Sequence, residues 1–164
     1  MKNYHIRPAE KADLGRILEI YEIAKRFMRA NGNPTQWAGG YPYPDMLEED
    51  IDAGHLFVVT GNETIHGVFA FILGDDPTYA VIEKGSWRSN SPYGTIHRIA
   101  SDGSGGILPA AIAFAESHIS HLRVDTHEDN KPMQHLVEKY GFSRQGIIYV
   151  GDGTPRIAYD RIED

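Results

Sequence analysis

Residues 125–142 read DTHEDNKPMQHLVEKYGF. Six polar residues, Asp125 to Asn130, stand where the strand-like HLRV (121–124) hands over to an amphipathic stretch. Part of this polarity is capping. Asn130 is a good N-cap, and Glu128 and Asp129 suit the positive end of a helix. Imidazoles and carboxylates at such a junction can also move protons or hold a cation. His118, His121, His127 and Asp129 cluster in sequence, yet there is no HExxH pair, and the change from helix to strand turns His121 away from His118. No metal is therefore expected. The chain has no cysteine, which removes disulfides, thiolate nucleophiles and cysteine-based zinc sites. It also lacks a Gly-x-Ser-x-Gly elbow, which speaks against a serine hydrolase.

A second stretch, SDGSGG (101–106), separates TIHRIA (95–100) from the Ala-rich ILPAAIAFAESHI (107–119). Strand, glycine turn and helix N-terminus together form an anion site, because glycine lets backbone N–H groups approach phosphate and the helix adds partial positive charge. Gly103, Gly105 and Gly106 have this placement. No Lys-Ser/Thr follows, so it is not a Walker loop. A plain tight turn is the other reading. On TIHRIA, alternation puts Thr95, His97 and Ile99 on one face. A Gly- and Pro-rich loop, NGNPTQWAGGYPYP (31–44), carries Trp37, Tyr41 and Tyr43, large aromatics that an ordinary surface loop does not need.

The elements that position these groups follow from hydrophobic spacing. NYHIRPA (3–9) is a short strand. Leu14, Ile17, Leu18, Tyr21, Ala24 and Met28 recur at helical spacing, and Gly32, Asn33 and Pro34 stop that helix. A short helix is expected over about 45–53. HLFVVT (55–60) and IHGVFAFIL (65–73) make a hairpin around GNET, and YAVIEKGSW (79–87) is a candidate continuation of the sheet. A helix from 107 opens with Pro109 in its first turn. HLRVDT (121–126) is a strand, KPMQHLVEKY (131–140) a helix stopped by Gly141, and GIIYV and PRIAYDRI flank GDGT (151–154) as a hairpin. The order is β-α-α-β-β-β-α-β-α-β-β, which implies a mixed sheet covered on both faces. With 164 residues, one domain spanning 1–164 is expected. Sixteen basic and 23 acidic residues give a net charge of −7, which disfavours nucleic acid. No apolar run is long enough for a membrane, and the first residues lack a signal-peptide stretch. A cytoplasmic location fits the absence of cysteine.

Over nearly its whole length the chain resembles the GNAT superfamily of acyl-CoA-dependent N-acyltransferases. IRPAEKADLGRILEIY (6–21) is similar to that family's opening strand and first helix, and HRIAS (97–101) to its central strand. SDGSGGI (101–107) is similar to its pyrophosphate loop, and DNKPMQHLVEKYGF (129–142) to its second cofactor segment. One departure matters. The family loop has the form Arg/Gln-x-x-Gly-x-Gly/Ala. With Gly103 and Gly105 as its glycines the first slot holds Ala100. With Gly106 as the last it holds Ser101, and Ser104 replaces the middle glycine. Neither frame supplies Arg or Gln, and Asp102 adds a negative charge.

The resemblance implies an α/β fold with a mixed, mostly antiparallel central sheet and helices on both faces. It implies an acetyltransferase that moves an acetyl group from acetyl-CoA, as co-substrate, to a primary amine of a small molecule or peptide by direct attack. Backbone donors of Gly103, Ser104, Gly105, Gly106 and Ile107 would hold the pyrophosphate. The main chain of Ile99 and Ser101 would hold the pantetheine arm along an edge left open by splayed strands, with Asn130 touching the same arm. Tyr140 matches the family's general acid, though a core tyrosine closing the helix is the alternative. For the base, His97 competes with Glu83, and His127 comes third, also placed to contact the acceptor. Trp37, Tyr41, Tyr43 and Trp87 would line the acceptor pocket. The partner is the amine substrate, with no nucleic acid or membrane, and a homodimer is left open. The rival reading, raised by the odd loop, is a non-catalytic acyl-CoA sensor or a degenerate transferase serving as an interaction domain.

Overall fold

The computed structural model describes residues 3–37 and 39–162. Strands β1 (His5–Pro8), β2 (Leu56–Gly61), β3 (Thr64–Leu73), β4 (Gly94–Ser101), β5 (His121–Thr126), β6 (Ser143–Tyr149) and β7 (Pro155–Ile162) form one seven-stranded sheet. Their spatial order is β1-β2-β3-β4-β5-β7-β6, antiparallel except for β4 and β5. Helices α1 (Leu14–Ala30) and α2 (Pro44–Asp52) cover one face, and α3 (Ile107–Glu116) and α4 (Lys131–Lys139) the other. This is the mixed, mostly antiparallel sheet expected from the sequence, with the same element order.

Alternation along β2 and β3 divides the core. Leu56, Val58, Val68 and Ala70 pack with Ile17, Ile20 and Tyr21 of α1 and Leu47 of α2. Val59, Phe69 and Phe71 face Ile107, Ala111, Ile112 and Ala115 of α3 and Val137 of α4. Each fully buried large aliphatic contributes about 2 kcal/mol, so the two helical layers clamp the sheet from both sides. Pro44 opens α2 and Pro132 sits in the first turn of α4, where a missing N–H costs nothing. The helix from 107 is shorter than the sequence suggested. It ends at Glu116, where the Ser117 hydroxyl donates to the Phe114 carbonyl at 2.6 Å and competes with continued helical bonding.

β4 pairs with its two neighbours very differently. Against β3 the register runs from Gly94 opposite Leu73 to Ser101 opposite Gly67. Against β5 only Gly94–Leu122 and Thr95–Arg123 are paired, after which the two strands part. A β-bulge lies at this point. Ala70 faces His97 and Val68 faces Ala100, so Arg98 and Ile99 together oppose Phe69, and Arg98 has φ of 49°. Bulges bend a strand and end its pairing. The bulge also shifts the parity of side chains. Ile99 packs on the α3 and α4 side with Ile96, so the expected common face of Thr95, His97 and Ile99 does not survive beyond His97.

Residues 79–87 do not continue the sheet. Pro77–Tyr79 form one 3-10 turn, and a single bridge links Glu83 to Ile147 of β6. The segment crosses the strands because its aromatics anchor it there. Tyr79 and Tyr93 are buried with Ile148 and Ala158, and Trp87 packs against them. Arg123 of β5 lies between two of these rings, its guanidinium carbon 3.9 Å from the centroids of both Trp87 and Tyr93. Asp160 of β7, fully buried, is ion-paired with Arg88.

Candidate active site

The parting of β4 and β5 opens a cavity of about 670 Å³. It passes through the sheet, since residues from both layers line it. Trp37, Tyr41 and Asp76 approach from the α1 and α2 side, and Leu108, Met133 and Val137 from the α3 and α4 side. Ile96, His97, Arg98 and Ile99 form one wall, and Val124, Asp125 and Thr126 the opposite one.

His97 and Asp76 meet at this wall, with Nε2 2.9 Å from the carboxylate Oδ2. The other carboxylate oxygen accepts from the Thr78 amide at 2.8 Å and its hydroxyl at 2.7 Å. Burial pushes the Asp76 carboxyl up, but the bonds from His97 and Thr78 outweigh it and hold it at about 2. An ionised carboxylate only accepts. His97 Nε2 therefore carries the hydrogen, and Nδ1 is left as the basic nitrogen. Across the gap Asp125 accepts from the Tyr79 hydroxyl at 2.6 Å. Burial and the neighbouring Asp125 push that phenol well above its ordinary value, so it remains a donor. Arg98 also lines the cavity and is paired with Asp50.

The aromatic loop crosses this opening and is tied to its far bank. Thr35 Oγ1 lies 3.1 Å from His127 Nε2. Gln36 Oε1 accepts from Asn130 Nδ2 at 3.1 Å and from Asn33 Nδ2 at 2.8 Å. Trp37, at φ of 62°, meets Tyr21 edge-on at 5.4 Å. Tyr41 and Tyr43 form a second edge-on pair at 6.0 Å. All three nominated aromatics of this loop line the cavity.

Outside the glycine loop, the other nominated residues fall into three groups. Ile99 and Asn130 line the cavity with His97, and Asn130 is also the N-cap of α4, accepting from the Met133 amide at 3.2 Å. His127 stands at the rim, held by Thr35 and by the Asp129 amide, which donates to its Nδ1 at 3.0 Å. Glu83, Trp87 and Tyr140 do not line the cavity. Exposed Glu83 accepts from Tyr149 at 3.1 Å beside β6. The Trp87 indole donates to the Tyr79 carbonyl at 2.9 Å. Tyr140 is the C-cap of α4, half-buried on the core, and its carbonyl accepts from Arg161. Val137, one turn earlier, takes the cavity-facing place.

Beyond β4, Ser101 to Gly106 make a tight loop. The Ser101 hydroxyl donates to the Ser104 carbonyl at 2.9 Å and accepts from the Gly103 amide at 3.0 Å. The Ser104 amide donates to Asp102. Two of the five nominated amides are thus engaged within the loop. Gly106, at φ of 85°, is the N-cap of α3, so no side chain closes its first turn. A Cβ on Gly103 or Gly105 would meet nothing within 4 Å. This open, uncapped helix start suits a phosphate group. The buried Thr126 hydroxyl lines the cavity with no partner among the described residues, which suits a polar chain laid through the gap. No set of three or more acidic or histidine side chains among the described residues is placed to hold a metal. No helix there is long and apolar enough to cross a membrane.

The splayed strands, the uncapped helix start and the through-sheet cavity are features of an acyltransferase. The family model of the acetyltransferase (GNAT) domain matches residues 4–143, so the chain belongs to the GNAT acetyltransferases. It is 31% identical to a GNAT-family acetyltransferase of Streptococcus agalactiae, with a TM-score of 0.87, covering 98% of this chain and 96% of that one. A GNAT-family acetyltransferase of Listeria monocytogenes, 18% identical, shares the fold alone, with a TM-score of 0.72 over 99% of this chain and 96% of that one. No curated protein matches the chain. Sequence reasoning missed Asp76, Thr78, Gln36 and Thr35. An Asp-Asp-Pro-Thr run (75–78) was the only local signal for the first two.

Proposed function

We propose that the chain is an N-acetyltransferase in which His97, oriented by Asp76, is the general base, and acetyl-CoA and a primary amine meet in the gap between β4 and β5. Bound acetyl-CoA supplies an activated acetyl thioester. The first turn of α3, with Gly105, Gly106 and Ile107, would hold its pyrophosphate. The open edge of β4 at Ile99 and Ser101, with Asn130 opposite, would hold the pantetheine arm. The amine would enter from the side of Trp37, Tyr41 and Tyr43. Asp125 sits on that route and suits a cationic group before it loses its proton.

The ammonium would first release one proton to solvent, and the neutral amine then attacks. His97 Nδ1 takes a second proton from the amine as the new C–N bond forms. The C–S bond breaks, and the same imidazolium returns that second proton to the departing sulfur, so one proton is released overall. Asp76 holds the ring and stabilises its charged form, as a carboxylate does behind any catalytic imidazole. The observation that carries this reading is the His97–Asp76 pair in the wall of a through-sheet cavity. An acceptor screen that reports free thiol from acetyl-CoA tests it. Turnover with a primary amine in the wild type, lost in His97→Gln, is the expected result. Acetyl-CoA binding without turnover across the panel would favour the sensor reading instead.

A further inference from the structure

We propose that Asp102 is the positioning residue of the glycine loop: clasped by Arg16 and His66, it holds the loop in its pyrophosphate-binding shape, the task for which this loop lacks the usual Arg or Gln. The proposal rests on the acetyl-CoA reading above. The problem it answers is visible in the loop itself. A carboxylate beside a phosphate site repels the ligand unless it is neutralised.

Here it is neutralised. Asp102 Oδ2 lies 2.9 Å from Arg16 Nη2 of α1 and 2.9 Å from His66 Nδ1 of β3. Its Oδ1 accepts from the Ser104 amide at 3.0 Å, and its own amide donates to the His66 carbonyl at 3.0 Å. Arg16 is itself fixed, since its Nε donates to the Ile65 carbonyl at 3.0 Å and its other arm pairs with Glu19. One carboxylate, 13% exposed, thus ties α1, β3 and the loop together. An isolated surface ion pair contributes little, but a carboxylate with three partners on three segments fixes a conformation. A Cβ on Gly103 or Gly105 would meet nothing within 4 Å, so the loop's backbone is open. The charge is taken up by Arg16 and His66, and the backbone at the two glycines is left uncovered.

The two views of Asp102 differ in sign. If it were only a negative charge near phosphate, Asp102→Asn would tighten binding. As a clasp, the same change must loosen it, although asparagine keeps the Ser104 contact. Calorimetry with CoA, on the whole chain, compares the wild type with Asp102→Asn, Arg16→Met, Arg16→Lys and the double variant Asp102→Asn/Arg16→Met. Each of the two disruptive singles is expected to raise Kd about tenfold, as the loss of a charge-assisted bond would. The double variant should be no worse than either single, because both remove one interaction, and Arg16→Lys should recover part of the loss. In turnover, KM for acetyl-CoA should rise while kcat, the acceptor's KM and the melting temperature hold. Unchanged or tighter binding by Asp102→Asn, or additive losses in the double variant, overturns the clasp alone. If Asp102→Asn does not fold, the Arg16 variants decide by the same criterion. A wild type that binds no CoA overturns the acetyl-CoA reading and the clasp with it.

Discussion

Two histidine–aspartate pairs lie at the two ends of the same strand region, and their settings differ. His97–Asp76 stands in the cavity wall, and the carboxylate's remaining partners are the amide and hydroxyl of Thr78. His66–Asp102 stands behind the glycine loop, and its carboxylate also carries Arg16. The N···O distance is 2.9 Å in both. A guanidinium on the carboxylate satisfies its charge permanently, because arginine does not titrate in a protein. The Asp102 carboxylate divides its charge between Arg16 and His66; burial pushes its carboxyl up, and the His66 contact helps hold it below the usual range. Asp76 has no guanidinium partner among the described residues, and on the proposed reading the charge that forms on His97 is its counter-ion. On that reading, the same two residue types serve statics at one end and proton transfer at the other.

Breaking the first pair has the largest expected effect. His97→Gln should lower kcat by about 10²- to 10³-fold, the usual reach of a positioned base, while acetyl-CoA binding measured by calorimetry is kept. An equal loss in His66→Gln would erase the distinction between the pairs. Asp76→Asn should lower kcat strongly as well, since the imidazole loses the anion that fixes its tautomer and orientation. It should also alter acid stability. The folded Asp76 carboxyl sits at about 2, below the ordinary carboxylate range. Its stabilisation is therefore fully present above about pH 4 and drains away as pH falls through 2. The ionised carboxylate contributes about 2 kcal/mol at neutral pH. In Asp76→Asn that contribution should be missing at pH 7, and the gap to the wild type should close on acidification. Denaturant melts at pH 7 and pH 2 measure this.

The acceptor end sharpens the comparison further. Trp37 lines the cavity from a loop bonded across the gap through Thr35 and Gln36. Trp37→Ala should raise the acceptor's KM about tenfold, the cost of losing roughly 1.4 kcal/mol of aromatic contact, with KM for acetyl-CoA unchanged. Asp102→Asn should show the mirror image. If Trp37→Ala moved the acetyl-CoA constant instead, the two ends of the cavity would have been assigned the wrong way round.

The parts of this arrangement written in local spacing were legible before any coordinates. The apolar stripe of α1, the alternation of β2 and β3, the Asn130 cap and the Gly141 stop all act within a few residues of themselves. The contacts that make the site do not. Asp76 reaches His97 only because the segment after β3 folds back over the sheet on Tyr79. Gln36 meets Asn130 only across the gap. The bulge at Arg98 has no glycine to mark it, since arginine itself takes φ of 49° there, and so the parity of Ile99 was unreadable. The engagement of the Gly103 and Ser104 amides was equally hidden, because it depends on where two short side chains turn.

Tyr140 is the finest test, with the smallest expected effect. The sequence places it directly before Gly-Phe, where the resemblance implies a proton donor. Helical phase decides where such a group points. Met133 and Val137, four residues apart, share the face of α4 that lines the cavity, as i and i+4 positions do. Tyr140 comes three residues after Val137 and beyond the last helical residue, at φ of −97° and ψ of 21°, so the backbone has already left the helical path. Its ring lies against the core beside Lys139, whose Nζ is 5.4 Å from the centroid. On the proposed reading the proton passes through His97 rather than through this phenol. Tyr140→Phe should therefore leave kcat within about twofold, as expected for a residue that takes no part in proton transfer. A loss comparable with that of His97→Gln would return the acid role to Tyr140 and remove the single-imidazole shuttle. An unchanged rate, together with the loss in His97→Gln, leaves the proton with the histidine that Asp76 holds.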